Sequence, residues 1–437
     1  MGDLNGDGTE DIFFGSSKFK DAQIYTKTDS GYEANPSLLP LDNATEEVAA
    51  AISDFNNDGQ ADLFIGTAGA DFYGKSAKLL DLYYTKQDTV WNAQELPKMY
   101  QNASVIAPYD IDQDGDLDVF IGNHSITGDF GKASQSYLLK NDKGNFSTTQ
   151  SSTFQNIGMI TDAIWSDFTG DGLADLIVVG EWMAPQFFAN KNGQLSHLKS
   201  LKDLNGLWQT IEPFDIDQDG DLDYLLGNWG TNSKFKASSK EPLKLYHNDF
   251  DNNGQTETIV AISKDRDYYP ITDFNGLAAQ LVSLKKKYSS YAAFAGQTID
   301  QLFDPKILKE STILEVHTLE SGYLKNENGS FKFIPFKTLA QVAPILDFCV
   351  YDFDADGKQD ALMAGNYFGV KPYHGRLDAF PGILIKDENR MTSAHSLGLD
   401  FMQKSIRDLR ILSLNGKDYL LATFNNEDAQ LYAIAKK

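Results

Sequence analysis

Short apolar runs recur along the chain about every 50 residues, and each comes directly after a polar loop rich in aspartate. Six of these runs end in glycine, at Gly15, Gly66, Gly122, Gly180, Gly227 and Gly365. Runs such as D-V-F-I-G are followed by hairpin patterns such as S-Y-L-L-K-N-D-K-G-N-F-S, which predicts β-strands joined by tight turns. We therefore expect an all-β chain in which most repeats form one four-stranded antiparallel sheet.

The loop ahead of each run has the spacing of a calcium-binding loop. In the stretch D-I-D-Q-D-G-D-L-D, the carboxylates of Asp110, Asp112 and Asp114 stand at alternate positions. Gly115 allows the backbone to reverse, and Asp118 completes the set. Oxygen ligands without His or Cys suit Ca²⁺ better than zinc or copper. The last carboxylate comes at the ninth position and precedes a strand, whereas an EF-hand loop has twelve positions and precedes a helix.

Six copies of this loop are clear and a seventh is looser, which predicts six or seven Ca²⁺ sites. We call these seven segments the acidic loops. Their predicted ligands are Asp3, Asn5, Asp7 and Asp11; Asp54, Asn56, Asp58 and Asp62; Asp110, Asp112, Asp114 and Asp118; Asp167, Thr169, Asp171 and Asp175; Asp215, Asp217, Asp219 and Asp223; Asp249, Asp251, Asn253 and Glu257; and Asp352, Asp354, Asp356 and Asp360. Asparagine keeps an oxygen donor with less charge, and Thr169 is the poorest replacement. We therefore expect the weakest sites in the loops that begin at Asp3, Asp167 and Asp249.

The repeated order of loop, strand and glycine resembles the FG-GAP or VCBS repeat, which builds the calcium-binding β-propeller of integrin α-subunits and of many bacterial surface proteins. Three segments narrow the resemblance to large secreted proteins of Bacteroidota-type bacteria, which often carry an ASPIC/UnbV domain that is not found here. They are D-L-I-V-V-G-E-W-M-A-P at 175–185, G-L-W-Q-T-I-E-P-F-D-I-D-Q-D-G-D at 206–221 and L-Y-H-N-D-F-D-N-N-G at 245–254. The resemblance implies one propeller domain over 1–437, with a calcium loop between the first and second strands of most blades.

The strand-terminal glycines predict which segments share a face. If each acidic loop joins the first two strands of its blade at one rim, the second strand brings the chain to the opposite rim. The segments that follow there, which we call the upper segments, are 68–75, 123–132, 181–185, 228–242 and 366–381. They are rich in Gly, Trp, Tyr, His and Asn. Because loops on a rigid scaffold commonly carry function, we expect the binding site on this upper face.

The candidate ligand-binding residues on the upper face are His124, Glu181, Trp182, Asn228, Trp229, Tyr373, His374, Arg376 and Asp378. Aromatic rings stack on the faces of sugars, while Asn, Arg and Asp bind hydroxyl groups. Two structural alternatives remain open. Trp182 and Trp229 can pack between blades as core residues. The triplets G-N-H, G-N-W and G-N-Y can be strand-end turns alone.

The stretch 265–310 interrupts the repeats. Its segment L-A-A-Q-L-V-S-L-K-K-K-Y-S-S-Y-A-A-F-A has apolar residues at helical spacing, and T-I-D-Q-L-F is a second candidate helix, so we predict a helical insertion. The Asp249 loop either opens its own blade or joins outer strands of the Asp215 blade. The insertion then lies beside or over the upper face, or it only fills an irregular blade. Counting the loops at Asp215 and Asp249 as one blade gives seven blades, and counting them separately gives eight. The resemblance favours seven, whereas the hairpin pattern near 323–336 fits eight better.

Composition excludes some classes of protein. The 437 residues are 41% hydrophobic, which is ample for a core, and no apolar run is long enough to predict membrane insertion. A formal charge of −24 argues against a nucleic-acid partner, since phosphates would be repelled. Seven Ca²⁺ ions would offset more than half of that charge, so most of the acidic excess is explained by metal sites.

The calcium pattern, rather than cysteine usage, favours export. Cys349 is the only cysteine, so no disulfide framework is possible and a buried, inert thiol is expected. The absence of disulfides does not exclude export, because bound calcium can stabilise the fold in their place and millimolar Ca²⁺ is an extracellular condition. We expect an extracellular, cell-surface or periplasmic protein. The chain has no signal peptide at Met1, so we interpret it as a fragment of a longer exported protein.

Three functions fit these observations. The leading one is a non-enzymatic, calcium-stabilised module that binds a glycan or a protein. The second is a polysaccharide lyase or hydrolase that uses Tyr373, His374, Arg376 or carboxylates of the upper face. The third is a structural spacer in a larger surface protein. The sequence contains no G-x-S-x-G, H-E-x-x-H, phosphate loop or cysteine pair, so we assign no catalytic residue and favour the binding module.

Overall fold

The chain folds into a series of antiparallel β-sheets, which confirms the all-β prediction. The computed structural model describes residues 1–35, 38–39, 44–87, 90–327, 329–371 and 374–434. Two compact units are present. The first comprises Met1–Gly128, Ala133–Val179 and Gln186–Ser200, and the second comprises Asp129–Lys132, Gly180–Pro185 and Leu201–Lys437.

The strands that precede residue 201 form sheets that mostly keep the order of the chain. They belong to the first unit, except for residues 129–132 and 180–183, which belong to the second. The strands are β1 (Ile12–Phe14), β2 (Gln23–Thr28), β3 (Gly31–Ala34), β4 (Glu46–Ser53), β5 (Asp62–Ala68), β6 (Leu82–Gln87), β7 (Val90–Gln94), β8 (Ala103–Tyr109), β9 (Asp118–Asn123), β10 (Ser125–Ile126), β11 (Asp129–Ala133), β12 (Tyr137–Lys140), β13 (Ser147–Thr149), β14 (Met159–Ser166), β15 (Asp175–Met183), β16 (Gln186–Lys191) and β17 (Gln194–Ser200). The sheet orders are β1-β2-β3, β4-β5-β6-β7, β8-β9-β12-β13 and β14-β15-β16-β17.

The second unit continues the same plan and adds helices. Its elements are β18 (Gly206–Leu207), β19 (Thr210–Phe214), β20 (Asp223–Gly227), β21 (Leu243–Asn248), β22 (Glu257–Lys264), β23 (Asp267–Pro270), α1 (Phe274–Gln280), α2 (Val282–Lys287), α3 (Tyr291–Phe294), α4 (Ile299–Leu302), α5 (Pro305–Glu310), β24 (Thr312–Val316), β25 (Gly322–Glu327), β26 (Ser330–Pro335), β27 (Ile345–Tyr351), β28 (Asp360–Gly365), β29 (Ile383–Ile385), β30 (Met391–Ser393), β31 (Ile406–Leu414), β32 (Lys417–Phe424) and β33 (Glu427–Ala433). Short 3₁₀ turns lie at Ala77–Leu79, Lys202–Leu204, Thr338–Gln341 and Ala394–Leu397.

The inserted region is larger than the predicted stretch 265–310. Strand β20 pairs with β25, so one sheet has the order β19-β20-β25-β26, and the chain between these two strands builds a separate sheet, β23-β22-β21-β24. The loop at Asp249 joins β21 and β22 in that separate sheet. It therefore neither opens a repeat of the standard plan nor joins the outer strands of the Asp215 sheet, whose outer hairpin is β25–β26.

The helices α1 to α5 pack on this inserted sheet. Leu277, Leu284 and Leu302 of the helices share one buried cluster with Ile259 of β22 and Phe250 of the acidic loop. The apolar residues at helical spacing are those that face the sheet, which is why the sequence pattern located these helices.

Every residue of the second strands β9, β20 and β28 is buried. Both faces of such a strand are covered by protein, so apolar residues occupy consecutive positions instead of alternating with polar ones. The cluster around Phe64, Val119 and Tyr137 shows how these strands pack with their neighbours in the first unit.

The glycines that end the second strands are explained by close packing between sheets. A Cβ added at Gly66 would lie 2.9 Å from the Cβ of Ala103, the first residue of β8. A Cβ at Gly122 would lie 2.8 Å from Ile160 of β14, and one at Gly227 would lie 2.6 Å from the carbonyl oxygen of Ile345 in β27. Only glycine allows the next sheet to approach this closely.

Among the described residues, no helix is long and apolar enough to cross a membrane. Cys349 in β27 is buried, and burial raises the pKa of its thiol to about 12, so the thiol stays protonated.

Candidate metal centres and the upper face

Each acidic loop is organised around its first aspartate. In the loop between β8 and β9, the two carboxylate oxygens of Asp110 accept hydrogen bonds from the backbone N–H groups of Asp114, at 3.1 Å, and Gly115, at 2.9 Å. The corresponding pair of hydrogen bonds is present in all seven acidic loops. The loop therefore wraps around one carboxylate and turns its other donor oxygens toward a common centre.

Two positions of each loop have left-handed backbone conformation. One is the glycine at the sixth position, such as Gly115 with φ of 92°. The other is the fourth position, which was not predicted from the sequence. It is occupied by Gly6, Asn57, Gln113, Gly170, Gln218, Asn252 and Ala355. Asn and Gly adopt this conformation readily, so their recurrence was an available signal, but Gln113 and Ala355 show that the loop imposes it on other residues.

The last carboxylate of each loop is buried, and in four loops it accepts a hydrogen bond from a backbone N–H at the end of the third strand. Asp223 is 1% exposed, and its carboxylate accepts hydrogen bonds from the backbone N–H of Ile216, at 3.2 Å, and of Asn326 in β25, at 2.7 Å. In the Asp110 loop, the carboxylate of Asp118 likewise accepts a hydrogen bond from the backbone N–H of Asn141, at 2.7 Å. The closing residue thus holds the loop and two strands together.

Burial makes these closing carboxylates difficult to ionise without a cation. Burial, together with the negative charge of other carboxylates in the same loop, raises the pKa of four of them to about 6: Asp62, Asp118, Asp223 and Asp360. The same cause raises the pKa of Asp11, Asp175 and Glu257. A divalent ion would favour the ionised form and remove the repulsion.

Buried oxygen atoms in the loops lack a hydrogen-bond donor. Asp62 Oδ1, Asp118 Oδ2 and Asp251 Oδ1 are buried and have no hydrogen-bond partner. A buried polar atom without a partner is costly, so a cation at this place would satisfy it.

In four loops, three carboxylate groups bring oxygen atoms within 4.8 Å of one another: Asp110, Asp112 and Asp114; Asp215, Asp217 and Asp223; Asp249, Asp251 and Glu257; Asp352, Asp354 and Asp356. Several acidic clusters can therefore hold a metal ion, and their all-oxygen donors suit a hard divalent cation.

An asparagine at the end of the third strand connects neighbouring loops. The amide Nδ2 of Asn141 donates to the carbonyl oxygens of Leu117, at 3.0 Å, and Phe55, at 2.7 Å, so it bonds its own acidic loop and the preceding one. Asn190 repeats this with Ala174 and Ile111. This role was not predicted, although an asparagine recurs three residues before a glycine in the sequence (N-D-K-G, N-K-N-G, N-E-N-G).

The structure brings together aromatic rings from segments 228–242 and 366–381, among them the candidate residues Trp229 and His374. The ring of Trp229 lies 5.3 Å from that of Tyr367 and 5.9 Å from that of Phe235, measured between centroids. Phe235 in turn lies 5.4 Å from His374. Trp229 itself is only 8% exposed, so it forms the buried part of this cluster.

Charged groups border this aromatic cluster. The guanidinium of Arg376 lies 4.2 Å above the ring of Phe368, and its Nε is 3.3 Å from Asp378 Oδ2. Burial, with nearby Lys234 and Lys371, lowers the pKa of His374, so its imidazole is neutral at pH 7. Tyr373 lies outside the described residues.

The other candidates belong to separate groups. Glu181 at the end of β15 accepts a hydrogen bond from Gln209 Nε2, at 3.0 Å, and the adjacent Trp182 is 7% exposed with a left-handed φ of 58°. His124 lies in the first unit, where its Nδ1 is 3.2 Å from Ser125 Oγ. Their roles in ligand binding stay predictions.

The asparagines of the G-N triplets are used within the fold. Asn228 is fully buried; its Oδ1 accepts from the N–H of Leu207, at 3.1 Å, and its Nδ2 donates to the carbonyls of Thr318 and Glu320. Asn366 is likewise buried and donates to three carbonyls. These bonds are those expected of the strand-end alternative.

Comparison with known proteins identifies the repeats. The model of the FG-GAP-like repeat matches residues 3–65, 110–178 and 167–226. No curated protein matches the chain significantly in sequence. Among solved structures, the chain is similar to the Vibrio cholerae biofilm matrix protein Bap1, with 11% identity, a TM-score of 0.43, and coverage of 99% of this chain and 86% of the other. It is also similar to Trypanosoma rangeli sialidase, with 10% identity, a TM-score of 0.36, and coverage of 98% and 59%. The matches to the repeat model, on segments that each contain an acidic loop and its following strand, show that these segments of the chain are FG-GAP-like repeats.

Proposed function

We propose that the chain is a calcium-stabilised β-propeller of seven blades that serves outside the cell as an interaction module for a glycan or protein ligand. The observation that carries this proposal is a division within single sheets. Strand β20 begins at the buried carboxylate of Asp223 and ends at Gly227, just before Trp229; β28 begins at Asp360 and ends at Gly365, just before the upper segment 366–381. Metal-binding chemistry lies at one end of the strands, and aromatic and charged groups lie at the other.

The sheet topology supports seven blades. Seven sheets follow or approximate the standard plan within the described residues, namely those led by β1, β4, β8, β14, β19, β27 and β31. The inserted sheet β21–β24 interrupts the β19 sheet between its second and third strands, so it is an addition to that blade. Calcium is the cation that best fits loops with only oxygen donors and a glycine bend.

The chemistry of segments 228–242 and 366–381 supports a polar ligand with flat faces. Phe235, Phe368 and His374 offer partly exposed rings, and Arg376 offers donors in a fixed plane. This combination suits sugar rings or an exposed aromatic and acidic segment of a protein. The formal charge of −24 disfavours nucleic acid.

The test is retention of the calcium-loaded protein on a broad panel of polysaccharides, repeated with a chelator. Arg376→Ala is expected to weaken retention about tenfold, because an exposed donor group on the proposed surface is lost. Arg390→Ala is a matched control: both arginines form one ion pair, and their side chains are 60% and 56% exposed, but Arg390 lies in the turn between β29 and β30, at the acidic-loop end.

The outcomes separate the proposed functions. Equal loss for both variants would show non-specific charge attraction and contradict the proposed surface. Release of new sugar ends would favour the polysaccharide enzyme. Absence of retention on every glycan, together with absence of any protein captured from the cell surface, would leave the structural spacer as the better description.

A further inference from the structure

A lysine of the third strand reaches into the acidic loop of its own sheet. The ammonium of Lys140, the last residue of β12, lies 2.6 Å from Asp112 Oδ1, 2.7 Å from Asp114 Oδ2 and 3.6 Å from Asp118 Oδ1. All three carboxylates are predicted metal ligands. A positive charge that belongs to the protein is therefore already placed among them.

Two further loops have the same arrangement. Lys325 of β25 lies 2.6 Å from Asp217 Oδ2. Lys386, directly after β29, contacts Asp354 and lies 3.8 Å from Asp356 Oδ2. The three lysines occupy the same register position. Each lies two residues after the third-strand residue that pairs with the second residue past the closing aspartate, in the pairs Leu138↔Phe120, Tyr323↔Leu225 and Leu384↔Leu362.

Two other repeats have an uncharged residue at that position. The pairings Phe64↔Tyr83 and Ile177↔Phe187 place Thr85 and Ala189 there. In the Asp54 loop, the closing Asp62 is fully buried and its Oδ1 has no hydrogen-bond partner. At this register position the third strand brings no positive charge to compete with a cation for the carboxylates of the Asp54 loop.

We infer that the acidic loops are of two kinds, and that the lysine at this register position decides which. The loops at Asp110, Asp215 and Asp352 are neutralised by their own lysine and bind Ca²⁺ weakly. The loops at Asp54 and Asp167, which have Thr85 and Ala189 instead, bind Ca²⁺ tightly. This inference rests on the calcium role proposed above.

The physical reason is competition for the same carboxylates. An ammonium at hydrogen-bond distance satisfies carboxylate oxygens and adds one positive charge. A Ca²⁺ ion that enters must displace the lysine or remain close to it, and both raise the free energy of the bound state. The ranking by ligand type alone, which puts Asp167 among the weak sites, predicts a different order, so the two rankings can be distinguished.

The test exchanges the two residues. Thr85→Lys brings the ammonium into the Asp54 loop, and Lys140→Thr removes it from the Asp110 loop. Calcium is titrated by calorimetry into the metal-stripped, full chain. We expect Thr85→Lys to lose one tight site and Lys140→Thr to gain one, each by a change in Kd of about tenfold or more.

Terbium luminescence reports on the Asp54 site separately. The hydroxyl of Tyr83 donates to Asp62 Oδ2, at 3.0 Å, so Tyr83 sensitises a terbium ion bound there. We expect the emission that depends on Tyr83, obtained as the difference from Tyr83→Phe, to fall in Thr85→Lys and to persist in Thr85→Met. The methionine variant has a similar length without charge and controls for a folding defect.

Two results would overturn the inference in different ways. If the wild-type chain binds Ca²⁺ but neither exchange changes the number or the Kd of tight sites, the lysines do not sort the loops, and the calcium role stands. If the wild-type chain binds no Ca²⁺ at all, the calcium role and the inference fail together.

Discussion

The acidic loops are near copies of one another, whereas the upper segments differ in length and contacts. The loop at Asp110 is shaped by bonds within itself, from Asp114 and Gly115 to the first carboxylate. The segment after Gly227 is held by distant partners, such as Thr318 on Asn228 and Tyr367 on Trp229. Hydrogen bonds within a loop are reproduced whenever the loop sequence is copied. Contacts with residues far along the chain depend on the partners present at each place and differ from one segment to the next. The first kind of region suits a common structural task, and the second suits a specific ligand.

The largest expected effect is that of removing calcium, which tests whether the acidic loops have one common task. We expect a chelator to lower the thermal midpoint at pH 7 by roughly 10 °C or more, because several buried carboxylates lose their cation together. Thermal unfolding followed by circular dichroism, with and without Ca²⁺, measures it. Excess Mg²⁺ is the control, since it fits such loops poorly. An unchanged midpoint would refute the structural role.

The pH dependence of the metal-free chain sharpens the same point. The pKa of Asp62, Asp118, Asp223 and Asp360 is about 6 in the fold, above the ordinary 3.8. The folded state thus keeps protons that the unfolded state releases, so this stabilisation is complete below about pH 4 and lost as the pH rises through about 6. We expect the midpoint of the chelated chain to fall by several degrees between pH 4 and pH 7. With Ca²⁺ bound, the fall should disappear; an equal fall with Ca²⁺ would contradict the assignment of these carboxylates.

A single closing carboxylate should have a smaller effect. Asp223→Ala removes the acceptor for the N–H groups of Ile216 and Asn326, and we expect it to lower the free energy of unfolding by about 3 kcal/mol. Asp221→Ala is the control, because Asp221 lies in the same loop but is exposed and is not a predicted ligand. Urea denaturation measures both. Similar losses for the two variants would show that total charge, not the closing position, matters.

The smallest effect is expected on the upper face. Arg376→Ala should change the free energy of unfolding by less than about 0.5 kcal/mol, because the side chain is 60% exposed and its ion pair with Asp378 is at the surface. Urea denaturation checks this. A loss as large as that of Asp223→Ala would erase the contrast between the two regions and would mean that this segment is part of the scaffold.

The sequence predicted the acidic loops and second strands because both are determined within a few residues. Asp110 to Asp118 contains the whole loop, and the buried run after it contains the strand. The inserted sheet was not predicted correctly, because the pairing of β20 with β25 joins residues almost a hundred positions apart, and no local pattern specifies which distant strand completes a sheet. The left-handed conformation of Ala355 was equally hidden, since alanine has no preference for it.

The asparagine bridges have a consequence for how such a chain can grow or be redesigned. Asn141 donates a hydrogen bond to Phe55, and Asn190 donates one to Ile111. The asparagine at the end of the third strand of one repeat therefore stabilises the acidic loop of the repeat before it. If a module is duplicated or grafted with its ends at the sheet boundaries, its asparagine loses the preceding loop to which it donates. Its own loop likewise loses the asparagine of the following repeat. A module that begins just before an acidic loop and ends after the third strand of the following sheet would keep both the loop and the asparagine that bonds to it. That segment is the one to transplant when a repeat is added.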